Sequence, residues 1–231
     1  MAEYVELARA ESERGELVLR RRADDDGRSV LELRANGLFV MDTRETSTEV
    51  ALARAALERV AAPRQVLVGG LGLGFTARAV LADGRVEGCT VVEIEPALAA
   101  WLSDGLVPGG PETLADPRVT LIVADVAAVL SWTAPATYDL VLLDVDNGPG
   151  HLVHDSNAAL YDEPLLAQVY RVLRPGGALA VWSADRSPDL EARLAATFDG
   201  AAAAALPVDL QGRSEHYWML AGTRDADAGT H

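Results

Sequence analysis

The stretch Gln65-Val66-Leu67-Val68-Gly69-Gly70-Leu71-Gly72-Leu73-Gly74-Phe75-Thr76 joins a short β-branched run to a helical one through four glycines. Glycines in such a loop let the backbone turn tightly, bring its N–H groups close to a ligand and aim a helix N-terminus at it. The spacing Gly72-x-Gly74-x-x-Ala77 also meets the loose dinucleotide fingerprint, so a nicotinamide-dependent enzyme is one reading at this point.

Downstream of the loop, short continuous apolar runs at Thr90–Glu95, Val119–Asp125, Tyr138–Asp144 and Ala178–Trp182 alternate with helical stretches, which is the pattern of a parallel sheet covered on both faces. Residues 63 to about 222 therefore read as a doubly wound α/β fold. Upstream, Leu17 and Leu19, then Val30, Leu31 and Leu33, then Leu38 and Val40 alternate in the strand manner between the turn dipeptides Asp26-Gly27 and Asn36-Gly37, predicting a small antiparallel β unit. Arg20-Arg21-Arg22 and Asp24-Asp25-Asp26 flank its first turn as a solvated edge of complementary charge. Thr46-x-x-Glu49 has capping-box spacing and opens a helical run that stops before Pro63. The expected division is a β unit over residues 1–45, an α/β domain over 46–223 and a disordered tail over 224–231.

Composition narrows the chemistry. The 231 residues are 49% hydrophobic and carry a net charge of −15, enough apolar matter for a full core and a field that repels phosphate backbones and anionic membranes. Nucleic acid and membrane are excluded as expected partners, and a small cationic substrate would be drawn inward. All 20 basic side chains are Arg, so Schiff-base lysine chemistry and a G-K-[ST] phosphate loop are absent. The one cysteine, Cys89, stands at the start of a buried run and reads as core packing. With neither a basic-apolar leader nor a run of ~20 apolar residues, the chain is expected in the cytoplasm.

The carboxyl ends of the predicted strands hold the polar residues. Glu93-Ile94-Glu95-Pro96 follows the glycines by about twenty residues, where a carboxylate can take both hydroxyls of a ribose, and Glu93 suits that role better than Glu95, which is as suited to the following helix N-terminus. Asp125-Val126 ends the third run, and Asp144-Val145-Asp146-Asn147 ends the fourth. An acid after the third strand can accept from an adenine amine, and polar groups after the fourth face a transferring centre. Helix capping is the rival role for Asp125 or Asp144 singly. His151, His154 and Asp155 are too loosely spaced for a metal site and read as solvated loop residues, so no metal is expected. Trp132 and Trp182 read as core or rim aromatics, and His216-Tyr217-Trp218 as sheet packing.

In order and spacing, the N-terminal β unit, the glycine loop, Val92-Glu93-Ile94-Glu95, Ala124-Asp125-Val126, Tyr138-Asp139-Leu140-Val141-Leu142-Leu143-Asp144, Leu160-Tyr161 and Arg174-Pro175-Gly176-Gly177 resemble the spermidine synthases and their relatives with the S-adenosylmethionine-dependent methyltransferase fold. The resemblance implies a seven-stranded Rossmann-like sheet with a small N-terminal antiparallel β unit, and a homodimer. It implies that Glu93 with Ile94 holds the ribose side of an S-adenosyl nucleoside, that Asp125 and Val126 hold the adenine, that Gly69, Gly70, Gly72 and Gly74 carry the sulfonium tail, and that Asp144, with Asp146 and Asn147, forms the catalytic edge. The implied donor is S-adenosylmethionine or its decarboxylated form, leaving S-adenosylhomocysteine or methylthioadenosine. The acceptor is a small molecule, expected to be a cationic amine.

The departures from the family pattern fall on the amine half. Gly72 and Asn147 stand where the family has acids, its tyrosine-glutamine pair is not recognisable around Thr43–Val50, and Val208-Asp209 replaces an expected tyrosine. The sequence thus predicts a transferase of aminopropyl or methyl groups, with a small-molecule methyltransferase and a non-catalytic nucleoside-binding or scaffold protein as alternatives.

Overall fold

The computed structural model describes residues 4–24, 26–145, 148–150, 152, 154–210 and 213–226. At the N-terminus β1 (Tyr4–Ser12), β2 (Gly15–Ala23), β3 (Ser29–Ala35) and β4 (Leu38–Asp42) form an antiparallel sheet in sequential order. The alternation of β2 and β3 sends Leu17, Leu19, Leu31 and Leu33 to one face, where they join the core of the following layers. Strand β1 was not foreseen from the sequence. It is an edge strand with exposed and half-buried residues throughout, so it carries no apolar alternation to read.

The opposite face corrects the expected charge pairing. Arg20, Arg22 and Arg34 converge on Glu32, which is 4% exposed, and Arg22 also bonds Asp42 at 2.9 Å. The acids that hold these arginines lie on neighbouring strands and not in the turn, where Asp24 instead accepts from the amides of Asp26 and Arg28. Asp25 lies outside the described residues.

Helix α1 (Ser47–Glu58) leads into β5 (Gln65–Gly69), α2 (Phe75–Leu81), β6 (Gly88–Glu93), α3 (Pro96–Ser103), α4 (Gly110–Leu114), β7 (Val119–Val123), α5 (Val126–Trp132) and β8 (Tyr138–Leu143). A 3-10 turn over Asp155–Tyr161 precedes α6 (Glu163–Val172), β9 (Leu173–Ser183), α7 (Pro188–Thr197), β10 (Asp199–Leu210) and β11 (Arg213–Thr223). The seven strands lie in the order β10-β11-β9-β8-β5-β6-β7. Pairs among β5 to β9 are parallel, and β11 runs antiparallel to both β9 and β10. Val66, Leu67, Val68, Leu140, Val141 and Leu142 are fully buried, as central strands covered on both faces require. This is the doubly wound sheet the sequence predicts.

Two boundaries differ. Strand β6 ends at Glu93, so Glu95 belongs to the turn into α3, and β9 begins at Leu173, taking Arg174-Pro175-Gly176-Gly177 into the strand. Cys89 is 1% exposed and its thiol is pushed up to about 12 by burial, in keeping with a packing role. Trp132, by contrast, is 65% exposed on α5, a rim and not a core position. No described helix is long and apolar enough to cross a membrane.

Strand order reverses between β5 and β8, whose chain connections run to opposite sides, and that switch point opens a crevice at the carboxyl edge. Gly70 sits in the crevice with φ +94°, and a Cβ there would stand 2.0 Å from the carbonyl oxygen of Asp144. We expect Gly70→Ala to lower unfolding free energy by ~3 kcal/mol or more, combining a left-handed alanine with a backbone clash. Gly176→Ala shares the positive φ, at +76°, but meets no described atom within 4 Å and should cost only about 1 kcal/mol. Urea titrations giving equal losses for the two variants would show that the close approach is not what constrains Gly70.

Candidate functional site

The glycine loop is held from below by a buried carboxylate. Glu93, 6% exposed at the end of β6, accepts the Leu71 amide at 2.9 Å on Oε2 and the Glu95 amide at 2.8 Å on Oε1. Burial pushes its carboxyl above the ordinary value, while hydrogen bonds from the amides of Glu95, Leu71 and Gly72 oppose the rise. Each oxygen retains acceptor capacity beyond these bonds, because an ionised carboxylate offers about four lone-pair sites. The two acids of the Glu93-Ile94-Glu95 run therefore separate. Glu95 makes no side-chain cap to α3, and instead accepts the Ser12 hydroxyl at 3.3 Å and pairs with Arg14 at 3.5 Å on the β1–β2 turn.

Asp125 is exposed at the start of α5 and caps it, with Oδ1 accepting the Ala127 amide at 2.7 Å. The capping role is real, yet it engages one oxygen only, and the residue lines the same cleft as Glu93, Ile94 and Val126. Asp144 follows β8 directly. Its amide donates to the Gly69 carbonyl at 2.8 Å and its Oδ2 accepts the Thr76 hydroxyl of α2 at 2.6 Å. Burial raises the Asp144 carboxyl, and the Thr76 bond works against that rise.

These residues surround one cleft of about 1110 Å³, whose walls also include Gly70, Gly72 and the inner face of the N-terminal sheet. Ligand pockets commonly run ~300–1,000 Å³, so the space accommodates a nucleoside and a second small molecule together. Over Gly72 the wall is Met41 of β4. Its sulfur lies 3.3 Å from the Leu73 amide and would stand 2.7 Å from a Cβ at residue 72, where φ is +50°. Any side chain at position 72 must displace Met41.

Two cleft residues, Glu49 and Tyr217, differ from the sequence reading. Thr46 precedes α1 but makes no side-chain cap, and Glu49, assigned to a capping box, turns into the cleft with 9% exposure. Burial drives the Glu49 carboxyl up to about 7, the negative charge of Asp144 adds to the rise, and the Thr48 hydroxyl, 2.8 Å from Oε2, opposes it. Tyr217, sheet packing by sequence, and Trp182, a core or rim aromatic by sequence, both line the cleft, with ring centroids 4.9 Å apart and planes tilted by 56°. The capping-box spacing hid Glu49, and the alternation of β11 gave no sign that its edge opened on a cavity. His154 also lines the cleft, half-buried. Asp146, Asn147 and His151 lie outside the described residues.

The arrangement can accept hydrogen bonds from a polar nucleoside on the β6–β7 side and can hold or remove a proton on the β8–β9–β11 side. The family model described as the spermine/spermidine synthase domain matches residues 45–207, and the chain belongs to that family. Polyamine aminopropyltransferase 2 of Pseudomonas aeruginosa is 34% identical over 123 residues, covering 52% of this chain and 33% of that protein. Putrescine N-methyltransferase 3 of Nicotiana tabacum is 31% identical over 115 residues, covering 50% and 29%. The chain thus spans about a third of the length of these curated relatives. Among solved structures, a spermidine synthase in complex with the transition-state analogue AdoDATO superposes with a TM-score of 0.76 at 18% identity, over 96% of this chain and 74% of that one. That likeness establishes the fold.

Glu49 gives the site a pH signature. Its carboxyl binds a proton more tightly in the folded chain, at about 7, than at the ordinary value of 4.5. The protonated residue is fully accommodated below that ordinary value, and stability declines as pH rises from there until ionisation is complete above about 7, a total on the order of 3 kcal/mol. Glu49→Gln keeps the shape without the charge. Its thermal midpoint should match the wild type near pH 4 and exceed it increasingly up to about pH 8. A constant offset at every pH would remove Glu49 from the buried, uncompensated state described above.

Proposed function

We propose that this member of the spermine/spermidine synthase family binds an S-adenosyl nucleoside in the cleft and transfers an alkyl group from its sulfonium to a small amine. The observation that carries the reading is the meeting of Glu93, Asp125 and Asp144, from three different strand ends, with the glycine loop around one cavity. The names of both relatives describe enzymes that place a group on an amine, and the family membership brings that chemistry to this chain as the proposal.

In this reading the free lone pairs of Glu93 take the ribose hydroxyls while its bonded ones keep the loop in place. Ile94 and Val126 flank the adenine, and the uncapped oxygen of Asp125 accepts from its amine. Gly69, Gly70, Gly72 and Gly74 leave room and backbone donors for the sulfonium tail. Asp144, rigidly set by Thr76, orients the acceptor nitrogen and relieves it of a proton, since an ammonium has no lone pair for in-line attack. Asp146 and Asn147 extend this edge in sequence and are assigned to the acceptor on that ground. A homodimer through the N-terminal sheet, where Leu38 and Phe39 are 55% and 51% exposed, is part of the same proposal, as is a cytoplasmic location.

Either a decarboxylated or an intact S-adenosylmethionine fits this scheme. The position of Met41 favours a second reading for the group transferred. With Met41 over Gly72 and no acid at that position, nothing there opposes the carboxylate of intact S-adenosylmethionine, and methyl transfer becomes chemically equivalent to aminopropyl transfer.

Asp144→Asn should leave methylthioadenosine binding intact and lower single-turnover transfer to an amine by ~10²–10⁴-fold, the usual worth of a positioned acid–base group. Wild-type turnover in a stable Asp144→Asn variant would end its catalytic assignment. Glu93→Gln turns an amide donor toward the donor N–H of Leu71 or Glu95, so it should weaken methylthioadenosine at least about tenfold and also lower the thermal midpoint, an unmet buried donor costing ~1–3 kcal/mol. Unchanged affinity by calorimetry would take Glu93 out of the nucleoside site.

A further inference from the structure

The strand register carries two aromatic rings to the side of Asp144. Leu143 of β8 pairs with Val181 of β9, so Asp144 and Trp182 are the next residues along neighbouring strands, with backbones ~4.8 Å apart. On β11, Met219 pairs with Trp182 and Trp218 with Ser183, which brings Tyr217 one step further along the same edge. Alternation fixes the face as well. Leu140, Leu142, Ala178, Ala180, Met219 and Ala221 all join the core beneath α1 and α2, and Asp144, Trp182 and Tyr217 continue those three series at the edge of the cleft. In keeping with this, Asp144 bonds Thr76 of α2 at 2.6 Å, and Trp182 packs against the same core.

What these residues offer a ligand is ring surface. The two rings, tilted by 56°, both line the cleft. The indole Nε1 of Trp182 is buried and has no acceptor among the described residues. A buried tryptophan usually finds a partner for its N–H, so this ring holds its place with a donor unmet. An N–H so enclosed has nothing to give a ligand, and Trp182 presents carbon to the cavity. Leu17, Leu33, Val40 and Met41 of the N-terminal sheet add apolar surface to the same lining. Among the described residues lining the cleft, the β9–β11 side contributes Trp182, Ala184 and Tyr217 and no carboxylate. The acids of the N-terminal sheet are taken: Glu32 by Arg20, Arg22 and Arg34, and Asp42 by Arg22. Glu45 and Glu49 each bond a neighbouring hydroxyl in the segment leading into and opening α1.

We propose that Trp182 and Tyr217 form the specificity wall for the acceptor, and that the acceptor is a primary amine carrying an aromatic ring one or two carbons from its nitrogen. The proposal rests on the amine-transferase reading above and names the substrate class within it. With the nitrogen at Asp144, a ring one strand spacing away, ~5 Å, meets the face of Trp182, and its far edge meets the tilted ring of Tyr217. Aromatic groups in such offset or edge-to-face contact gain beyond the apolar area they remove from water. A four-carbon diamine in the same place would lay flexible methylenes on the wall and carry its second ammonium to the side of the cleft that lacks a described carboxylate. Ring faces also attract cations, so that diamine is the rival occupant.

Titration calorimetry on the wild-type chain saturated with methylthioadenosine compares 2-phenylethylamine, n-butylamine and 1,4-diaminobutane. 2-Phenylethylamine should bind at least about tenfold more tightly than either aliphatic amine, the gain expected from burying a ring against an aromatic wall. Trp182→Ala should abolish that preference and leave the affinities for n-butylamine and methylthioadenosine close to wild type. Trp182→Phe, which keeps a ring face, should retain most of the preference, and Tyr217→Leu should lose part of it. These two variants decide the matter where Trp182→Ala lowers the thermal midpoint too far for titration. An aliphatic amine that binds as tightly as 2-phenylethylamine overturns the proposal, as does an aryl preference untouched by the substitutions at both positions, or no binding of any of the three amines. Failure of methylthioadenosine to bind the wild type would instead overturn the transferase reading. In that case a preference of the free chain for 2-phenylethylamine that depends on Trp182 still establishes the aryl site, and its absence removes both.

Discussion

The close approach of Gly70 to the end of β8 is the constraint on which the rest of the cleft depends. With no side chain at residue 70, the loop leaving β5 lies against the Asp144 backbone, and its amide bonds the Val92 carbonyl of β6 at 2.8 Å. One residue thereby touches both strands that flank β5. The crevice created by the reversal of strand order is fixed in width at that point. Glu93, bonding the next two amides of the loop, locks the same segment from the β6 side. The loop, the two flanking strand ends and the acids they carry behave as one rigid frame, and the α2 helix that starts at Phe75 brings Thr76 onto Asp144 as a consequence.

Charge is distributed over that frame in a way the total of −15 does not reveal. The N-terminal sheet gathers arginines around Glu32 and Asp42, and the β1–β2 turn places Arg14 between Glu95 and Asn157, 3.1 Å from the Asn157 side-chain oxygen. These pairs neutralise the acids at the rim. Among the described residues, Glu49 and Asp144 line the cleft and bond hydroxyls in place of arginines. An acidic surface adds steering at long range, but salt screens it over about a Debye length. Charges held inside a cleft are screened less than those on the surface.

Much of this was legible in the sequence, and the parts that were not share a physical reason. Continuous β-branched runs separated by helical stretches can pack only as a covered parallel sheet, so β5 to β9 and the glycine turn could be read directly. Acids at strand ends were legible for the same reason, because topology alone carries Glu93, Asp125 and Asp144 to one edge. Edge strand β1 was illegible because an exposed strand has no apolar period. The reading of Glu49 differs because a short motif, Thr46-x-x-Glu49, is compatible with two side-chain directions, and only the packed fold selects the one that lines the cleft. Tyr217, sheet packing by sequence, lines the cleft for a related cause. Aromatics at strand ends look alike whether they meet a core or a cavity, and the register of β11 on β9, with Met219 opposite Trp182, decides which.

Position 72 also shapes the charge of the cleft. The resemblance to the spermidine synthases implies an acid in the glycine loop where Gly72 stands. Met41 occupies the space instead, so the loop amides there meet sulfur and methyl groups. Removing one carboxylate from such a cluster lowers the repulsion felt by those that remain. Glu49 can then share the site with Asp144 while ionising at about 7, within reach of ordinary cellular pH. An acid at residue 72 would bring another negative charge to the cleft that Glu49 and Asp144 line, and like charges sharing one site oppose ionisation.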